Sequence, residues 1–177
     1  VRGGVAEERA LLAWPAARWV ALLGACVFIL GRFHAPIDGE HYFRQTHVAA
    51  NIEKFVETGL SLRPQTYNRD APVALFDFPA YEVAIAFVCR SFGGHPLETA
   101  RSLNLGLFVL SFLLLDSLLA RTGVPPLPRL LALVFFAFAP ANLYYMGTPL
   151  PDSLALAASL VSLLAFVRWE EGGGVPM

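Results

Sequence analysis

Charge is scarce in this chain. Only 15% of its 177 residues are Asp, Glu, Lys or Arg, against about a quarter in soluble domains. With 56% hydrophobic residues and a mean hydropathy of +0.55, the deficit argues against a soluble globular domain and for an integral membrane protein. Neither sign of charge dominates: the formal net charge is -1. That leaves no bulk basic character for nucleic acid, which is excluded as a partner. Cysteine is nearly absent. Cys26 and Cys89 both sit in apolar runs at no metal-ligating spacing, and read as small buried hydrophobes. No internal repeat is visible. No small-x-small cleavage site separates the first apolar segment from the polar stretch after it, and more apolar segments follow, so that first segment reads as an uncleaved span rather than a signal peptide.

The apolar segments divide the chain. A short polar lead, with Arg2, Glu7, Glu8 and Arg9, precedes a span expected over about residues 12–33. Arg18 and Arg32 are placed to snorkel from it, and Trp14 and Trp19 suit an interface belt. Residues 34–96 are a long, mostly polar excursion. Within it Val48, Ile52, Phe55 and Val56 share one helical face, while Asn51, Glu53, Lys54 and Glu57 point elsewhere. That pattern predicts an amphipathic helix lying on the membrane surface, stopped at Gly59. Residues 61–73, with Pro64, Asn68, Asp70 and Pro72, read as loop. Residues 78–92 are apolar but short for a crossing, with Glu82 inside and Arg90 near the end. Further spans are expected at 97–120, 128–146 and 152–168. Asn104 and Asp116 should face protein rather than lipid, and Asp116 reads as structural.

Topology follows from the arginine-rich loops, which belong in the cytoplasm. If residues 78–92 lie along the surface, the N-terminal lead, the 121–129 turn and the Arg168 end all fall on the cytoplasmic side. The polar stretch at 38–47 and Asp152 then share the outer side. The expected fold class is all-α: a polytopic membrane helix bundle of about four spans, with amphipathic juxtamembrane helices in a long first outer loop.

Residues 38–47 are the densest polar group. Asp38, Glu40, His41, Arg44 and His47 fall within ten residues, just beyond the first span. His41 and His47 lie six apart, which is not the spacing that puts two metal ligands on one helix face. Asp152 opens the last span, where the helix dipole stabilises it, so a cap is the bland reading and an active-site acid the functional one.

Three local motifs, in order, carry a resemblance to a known family. Phe43-Arg44-Gln45 followed by Ala49-Ala50-Asn51-Ile52 resembles a Trp-Arg-Gln-x-Asp-Thr-Ala pattern. Phe76-Asp77-Phe78-Pro79-Ala80-Tyr81 resembles a Phe-Glu-Phe-Pro-Leu-Tyr entry to a juxtamembrane helix. Leu150-Pro151-Asp152-Ser153 resembles the Pro-Glu/Asp-Ser that opens a fourth span. These belong to the C-type (GT-C) glycosyltransferases, in the branch of dolichyl-phosphate-mannose protein mannosyltransferases and bacterial lipopolysaccharide-sugar transferases. The chain departs from the pattern at Phe43 for Trp, His47 for Asp and Val48 for Thr. The resemblance covers about residues 12–169. It implies that residues 1–177 are the N-terminal part of a larger transmembrane enzyme, with an active site at the non-cytoplasmic face of a bacterial inner membrane.

What the resemblance further implies is inverting transfer of a sugar from a polyprenyl-phosphate donor to a lipid, glycan or protein acceptor. Such transfer needs a base for the acceptor hydroxyl and stabilisation of the departing phosphate. A carboxylate partly desolvated at the membrane boundary is the better base. Asp38, set between Pro36 and Gly39, is the first choice and Glu40 the reserve. Asp152 is the second acid, orienting the acceptor or a metal. Arg44 is expected at the lipid phosphate, with Gln45, His41 and His47 as further contacts and Asp77 and Glu82 as weaker candidates. Gln45 is otherwise helix surface, and Glu82 the polar face of a surface helix. No cofactor is certain, and a divalent metal is left open. Membrane lipids are the remaining partners. Two rival readings stand beside this one: a transporter subunit, which would show inverted repeats and helices broken at mid-membrane, and a non-catalytic membrane scaffold.

Overall fold

The computed structural model describes residues 3–37, 42–60 and 79–172. Among them the chain is all-helical, without strands. Its seven helices are α1 Gly3–Gly31, α2 Tyr42–Thr58, α3 Ala80–Phe92, α4 Pro96–Arg121, α5 Pro126–Phe138, α6 Pro140–Tyr145 and α7 Asp152–Glu171. Two of them, α4 and α7, are long and apolar enough to cross a membrane. Their 26 and 20 residues rise about 39 and 30 Å, against a hydrocarbon core of about 30 Å. Shorter apolar helices run over Ala16–Gly31 and Pro126–Phe138.

The helix ends follow local chemistry. Pro96 sits at the start of α4, where its missing amide hydrogen costs nothing. Glu98 in the first turn and Arg121 in the last complement the helix dipole. Gly59 ends α2 with a left-handed φ of 107°, which a glycine adopts without strain. Gly24 lets α1 approach α5 closely, since a Cβ there would lie 3.3 Å from the Phe138 ring.

Two corrections to the expected elements have simple causes. The polar lead is not separate, because α1 already begins at Gly3. The expected span over 128–146 is broken. Pro140 has no amide hydrogen and drives Ala139 out of the helical region, to φ −57° and ψ 127°. The break frees the Phe136 carbonyl, which accepts a 2.7 Å hydrogen bond from Asn142 Nδ2. The 78–92 segment forms a helix of 13 residues, about 20 Å long and too short to cross. It packs against α2 and α4. The expected loop over 61–73 lies outside the described residues.

Contacts between helices fix their directions. Arg18 of α1, Asp116 late in α4 and Arg129 early in α5 meet in one cluster. Arg121 at the end of α4 pairs with Glu171 at the end of α7 at 2.5 Å. At the opposite end, Arg101 early in α4 bonds the carbonyls of Phe33 and Ala35, just past α1. Asn104 bonds the turn that leads into α7. α1, α4, α5–α6 and α7 therefore alternate in direction. α1 finishes where α4 starts, so α2 and α3 are carried at that same end.

There are two cores. One joins Leu22, Ala25 and Ile29 of α1 to Phe108 and Phe112 of α4 and Leu133 and Ala137 of α5. Phe136 stacks on Phe108 at 5.8 Å within it. The other is built by Val48, Ile52 and Phe55 of α2 against Tyr81, Ile85, Ala86 and Cys89 of α3 and Ala100 of α4. The apolar face foreseen on α2 is thus buried, with Val56 only partly so, while Glu53 and Glu57 stay exposed.

Candidate functional site

The end of the bundle that carries α2 and α3 also collects the polar side chains. Asp152 is the first residue of α7, and no side chain caps that terminus. Its carboxylate instead meets Arg44 Nη1 at 3.3 and 3.4 Å. The two partners are 108 residues apart in sequence and about equally exposed, 39% for Arg44 and 41% for Asp152. Arg44, expected at a donor phosphate, here faces the second expected acid.

Gln45 is not helix surface. It is buried, and its Nε2 donates to the Tyr144 hydroxyl at 2.9 Å. The one-residue step from Arg44 turns its side chain toward α6 rather than α7. His47 stacks on Phe43, ring centres 6.3 Å apart, and its Nδ1 lies 3.4 Å from Asn51 Nδ2. Glu82, expected on a polar face, is 3% exposed. It belongs to the packed face of α3, beside Tyr81 and one turn before Ile85 and Ala86. Asp38, Glu40, His41 and Asp77 lie outside the described residues. Their flanks do not: Pro36 and Gln45 line one cleft at this end.

That cleft is narrow and open to solvent, with a volume of about 10 Å³ for the centres of water-sized groups, room for about one water. It is lined by Arg32, Ala35 and Pro36 from the end of α1 and the turn after it, Gln45 of α2, Arg101 of α4, and Tyr144, Gly147 and Thr148 from α6 and the turn after it. Arg32 lies over the Tyr144 ring, 6.0 Å from its centre. Arg101 is 4% exposed and donates to the Phe33 carbonyl and, at 2.6 Å, to the Ala35 carbonyl.

Behind the Arg44–Asp152 pair lies a buried amide hub. Asn104, fully buried, accepts from the Tyr81 hydroxyl at 3.0 Å and from Ser153 Oγ at 2.6 Å. Its Nδ2 donates to the Thr148 and Leu150 carbonyls. All of an amide's ordinary valences are used. The hub ties α3, α4 and the turn before α7 to the residue next to Asp152. Burial pushes the Tyr81 phenol well above its ordinary value; the Asn104 hydrogen bond works against this, and Glu82 and Asp152 add to the rise. Among the described residues no three His, Cys, Asp or Glu side chains converge as a metal site would require.

Arg32, Arg101, Tyr144 and Tyr81 were not foreseen as site residues, and Asn104 was foreseen only as protein-facing. The one available signal was spacing. Arg101 and Asn104, three apart, share a face of an apolar helix, and two polar side chains there mark the face turned to protein.

No protein-family model, curated protein or solved structure matches this chain.

Proposed function

We propose that the chain forms the membrane-embedded N-terminal part of a glycosyltransferase that takes a sugar from a polyprenyl phosphate on the non-cytoplasmic face. The observation that supports it best is the contact of Arg44 with Asp152 at 3.3 Å. Two residues singled out from separate motifs meet at the bundle end that carries α2 and α3. In this reading α1, α4, α5–α6 and α7 are the four spans, and the α2–α3 pair lies along the headgroups. Exposed Val20, Leu23 and Val27 on α1, Leu131 and Phe135 on α5, and Val161 and Phe166 on α7 form the lipid-facing surface. The Arg18, Arg121 and Arg129 end is cytoplasmic.

The chemistry is a single displacement. The acceptor hydroxyl oxygen attacks the anomeric carbon as the bond from that carbon to the phosphate oxygen breaks, which inverts the centre. Asp38 takes the hydroxyl proton, with Glu40 in reserve. Asp152 orients the acceptor. Arg44, with Gln45, His41 and His47 nearby in sequence, meets the charge that gathers on the leaving phosphate. The acceptor is a lipid, a glycan or a protein.

The test is reconstitution of the protein expressed from its complete gene, with radiolabelled polyprenyl-phosphate sugars. Asp38→Asn should cut transfer by roughly 10²–10⁴-fold while the helical circular dichroism stays unchanged. Full activity in that variant and in Glu40→Gln sinks the assignment. A transporter would show helices broken at mid-membrane. The break at Ala139, six residues before Tyr145, is one such interruption, but no internal repeat accompanies it in the sequence.

A further inference from the structure

The two helices carried at the site end have outer surfaces of opposite character. On α3, Ala80, Ala84, Phe87, Val88 and Ser91 recur at the helical period and are all exposed, and Phe92 at its end is 84% exposed. The other side of α3, with Tyr81, Ile85, Ala86 and Cys89, is buried against α2 and α4. Arg90 is the one charged residue exposed on α3. It lies at the margin of the apolar stripe, where its Nη1 donates to the Val56 carbonyl of α2 at 2.7 Å. On α2, beyond its first turn, the exposed residues are Glu53, Glu57 and Thr58. One lone exposed phenylalanine would need no explanation, but two with a valine on a single short helix form a patch that water disfavours.

Position and charge decide what covers the stripe. Only Gly93, Gly94 and His95 separate α3 from α4, which is long and apolar enough to cross a membrane. That link reaches about 14 Å at full extension, so Phe92 stays near the point where α4 enters. Anionic headgroups attract Arg90 and repel Glu53 and Glu57. We propose that α3 is seated in the outer leaflet, with Phe87, Val88 and Phe92 among the upper acyl chains, Arg90 at headgroup level, and the Glu53–Glu57 surface of α2 turned to water. This orientation rests on the reading of α4 as a span and needs no sugar transfer. Because α2 packs on α3, the lipid contact of α3 then fixes the depth of α2 and its Arg44 relative to the bilayer.

The experiment places a nitroxide spin label at one position at a time, by Phe87→Cys, Phe92→Cys, Glu57→Cys or Leu113→Cys. The protein expressed from its complete gene is reconstituted in vesicles of phosphatidylethanolamine and phosphatidylglycerol. The native cysteines stay in place, and the signal of labelled wild type is subtracted as background. All of these positions are exposed, so the variants should keep the wild-type circular dichroism. Labels at Phe87 and Phe92 should collide several-fold more with oxygen, which concentrates in lipid, than with a water-soluble nickel chelate, at a depth of about 5–10 Å. The Glu57 label should show the reverse. Leu113, on the surface of α4, reports on the span and should favour oxygen. Preference for nickel at Phe87 or Phe92 while Leu113 stays in lipid overturns the proposal and leaves the span standing. Preference for nickel at Leu113 as well sinks the membrane reading with it. Shielding of Phe87 and Phe92 from both reagents means that a protein segment covers the stripe, and overturns the proposal too. So does preference for oxygen at Glu57, which would put α2 in the lipid.

Discussion

At one end of the bundle Asp116, its side chain 9% exposed, is gripped by Arg18 at 2.7 Å and by Arg129. At the other end Asp152, 41% exposed, meets Arg44 no closer than 3.3 Å. The residue types are the same, and what separates them is saturation. Both carboxylate oxygens of Asp116 are used, by arginines from two other helices. That cluster joins α1, α4 and α5 and leaves its acid nothing to offer a ligand. Asp152 shares one guanidinium nitrogen at the long limit of a hydrogen bond and keeps contact with water. Charge enclosed on all sides holds a fold together; charge held loosely and half-exposed stays within reach of a ligand.

The sharpest way to break this contrast is Asp116→Ala. It leaves two partly buried arginines without their shared acid, a change that costs about 3–5 kcal/mol when buried pairs lose one partner. Unfolding in mixed detergent micelles measures it. The mirror change, Asp152→Ala, should move stability by less than about 1 kcal/mol. Equal losses at the two ends would erase the distinction.

Next in size is the amide behind the site. Asn104→Ala strands the Tyr81 and Ser153 hydroxyls and the Thr148 and Leu150 carbonyls. At about 0.5–1.5 kcal/mol for each of the four lost bonds, the same unfolding assay should lose roughly 2–6 kcal/mol. Because Ser153 is next to Asp152, the variant should also impair the candidate site. For the proposed sugar transfer, the expected mark is a fall in turnover with the substrate KM kept, measured at a temperature where the protein remains folded. A stability loss within about 0.5 kcal/mol would mean that the hub does not hold the α7 entry.

A smaller effect comes from Tyr81. Its phenol titrates higher in the folded protein than in the unfolded chain. The unfolded chain therefore releases this proton first as pH rises. The stabilising contribution is whole below the ordinary tyrosine value near 10 and falls as pH climbs past it. Wild-type stability should drop by on the order of 1 kcal/mol per pH unit there. Tyr81→Phe should flatten that part of the profile, and an unchanged slope would remove Tyr81 as its cause.

How far the sequence alone reaches is clear from individual residues. The buried side of α2 was legible because Val48, Ile52 and Phe55 recur at the helical period, and Gly59 marked its end. Asp116 was readable as structural because an acid deep in an apolar run must find partners. The all-helical class followed from the apolar segments. The extension of α1 back to Gly3 was not legible, since a formed helix propagates through polar residues at little cost. The break at Ala139 was signalled by Pro140, but a proline near a helix end also permits a kink. The burial of Glu82 depended on which side of α3 met α2. The cleft was the least accessible feature. Arg101 reaches Phe33 across 68 residues and Asn104 reaches Thr148 across 44, and no local spacing encodes which distant loop a side chain will find.

The smallest expected effect gives the cleanest comparison. A double-mutant cycle on Arg44→Gln and Asp152→Asn isolates their interaction from the rest of the fold. Exposed pairs of this kind couple by about 0.2–1 kcal/mol, because water screens both partners and each side chain loses freedom in meeting the other. The same cycle on Arg18→Gln and Asp116→Asn should give several times more, since burial removes the screening and leaves each charge dependent on the other. The ratio matters more than either value. A site whose ion pair is weak in the empty protein can exchange that partner for a ligand without first unfolding anything. If Arg44 and Asp152 coupled as strongly as Arg18 and Asp116, the pair would be a second structural clamp, and the chemistry would have to be sought elsewhere on this end of the bundle.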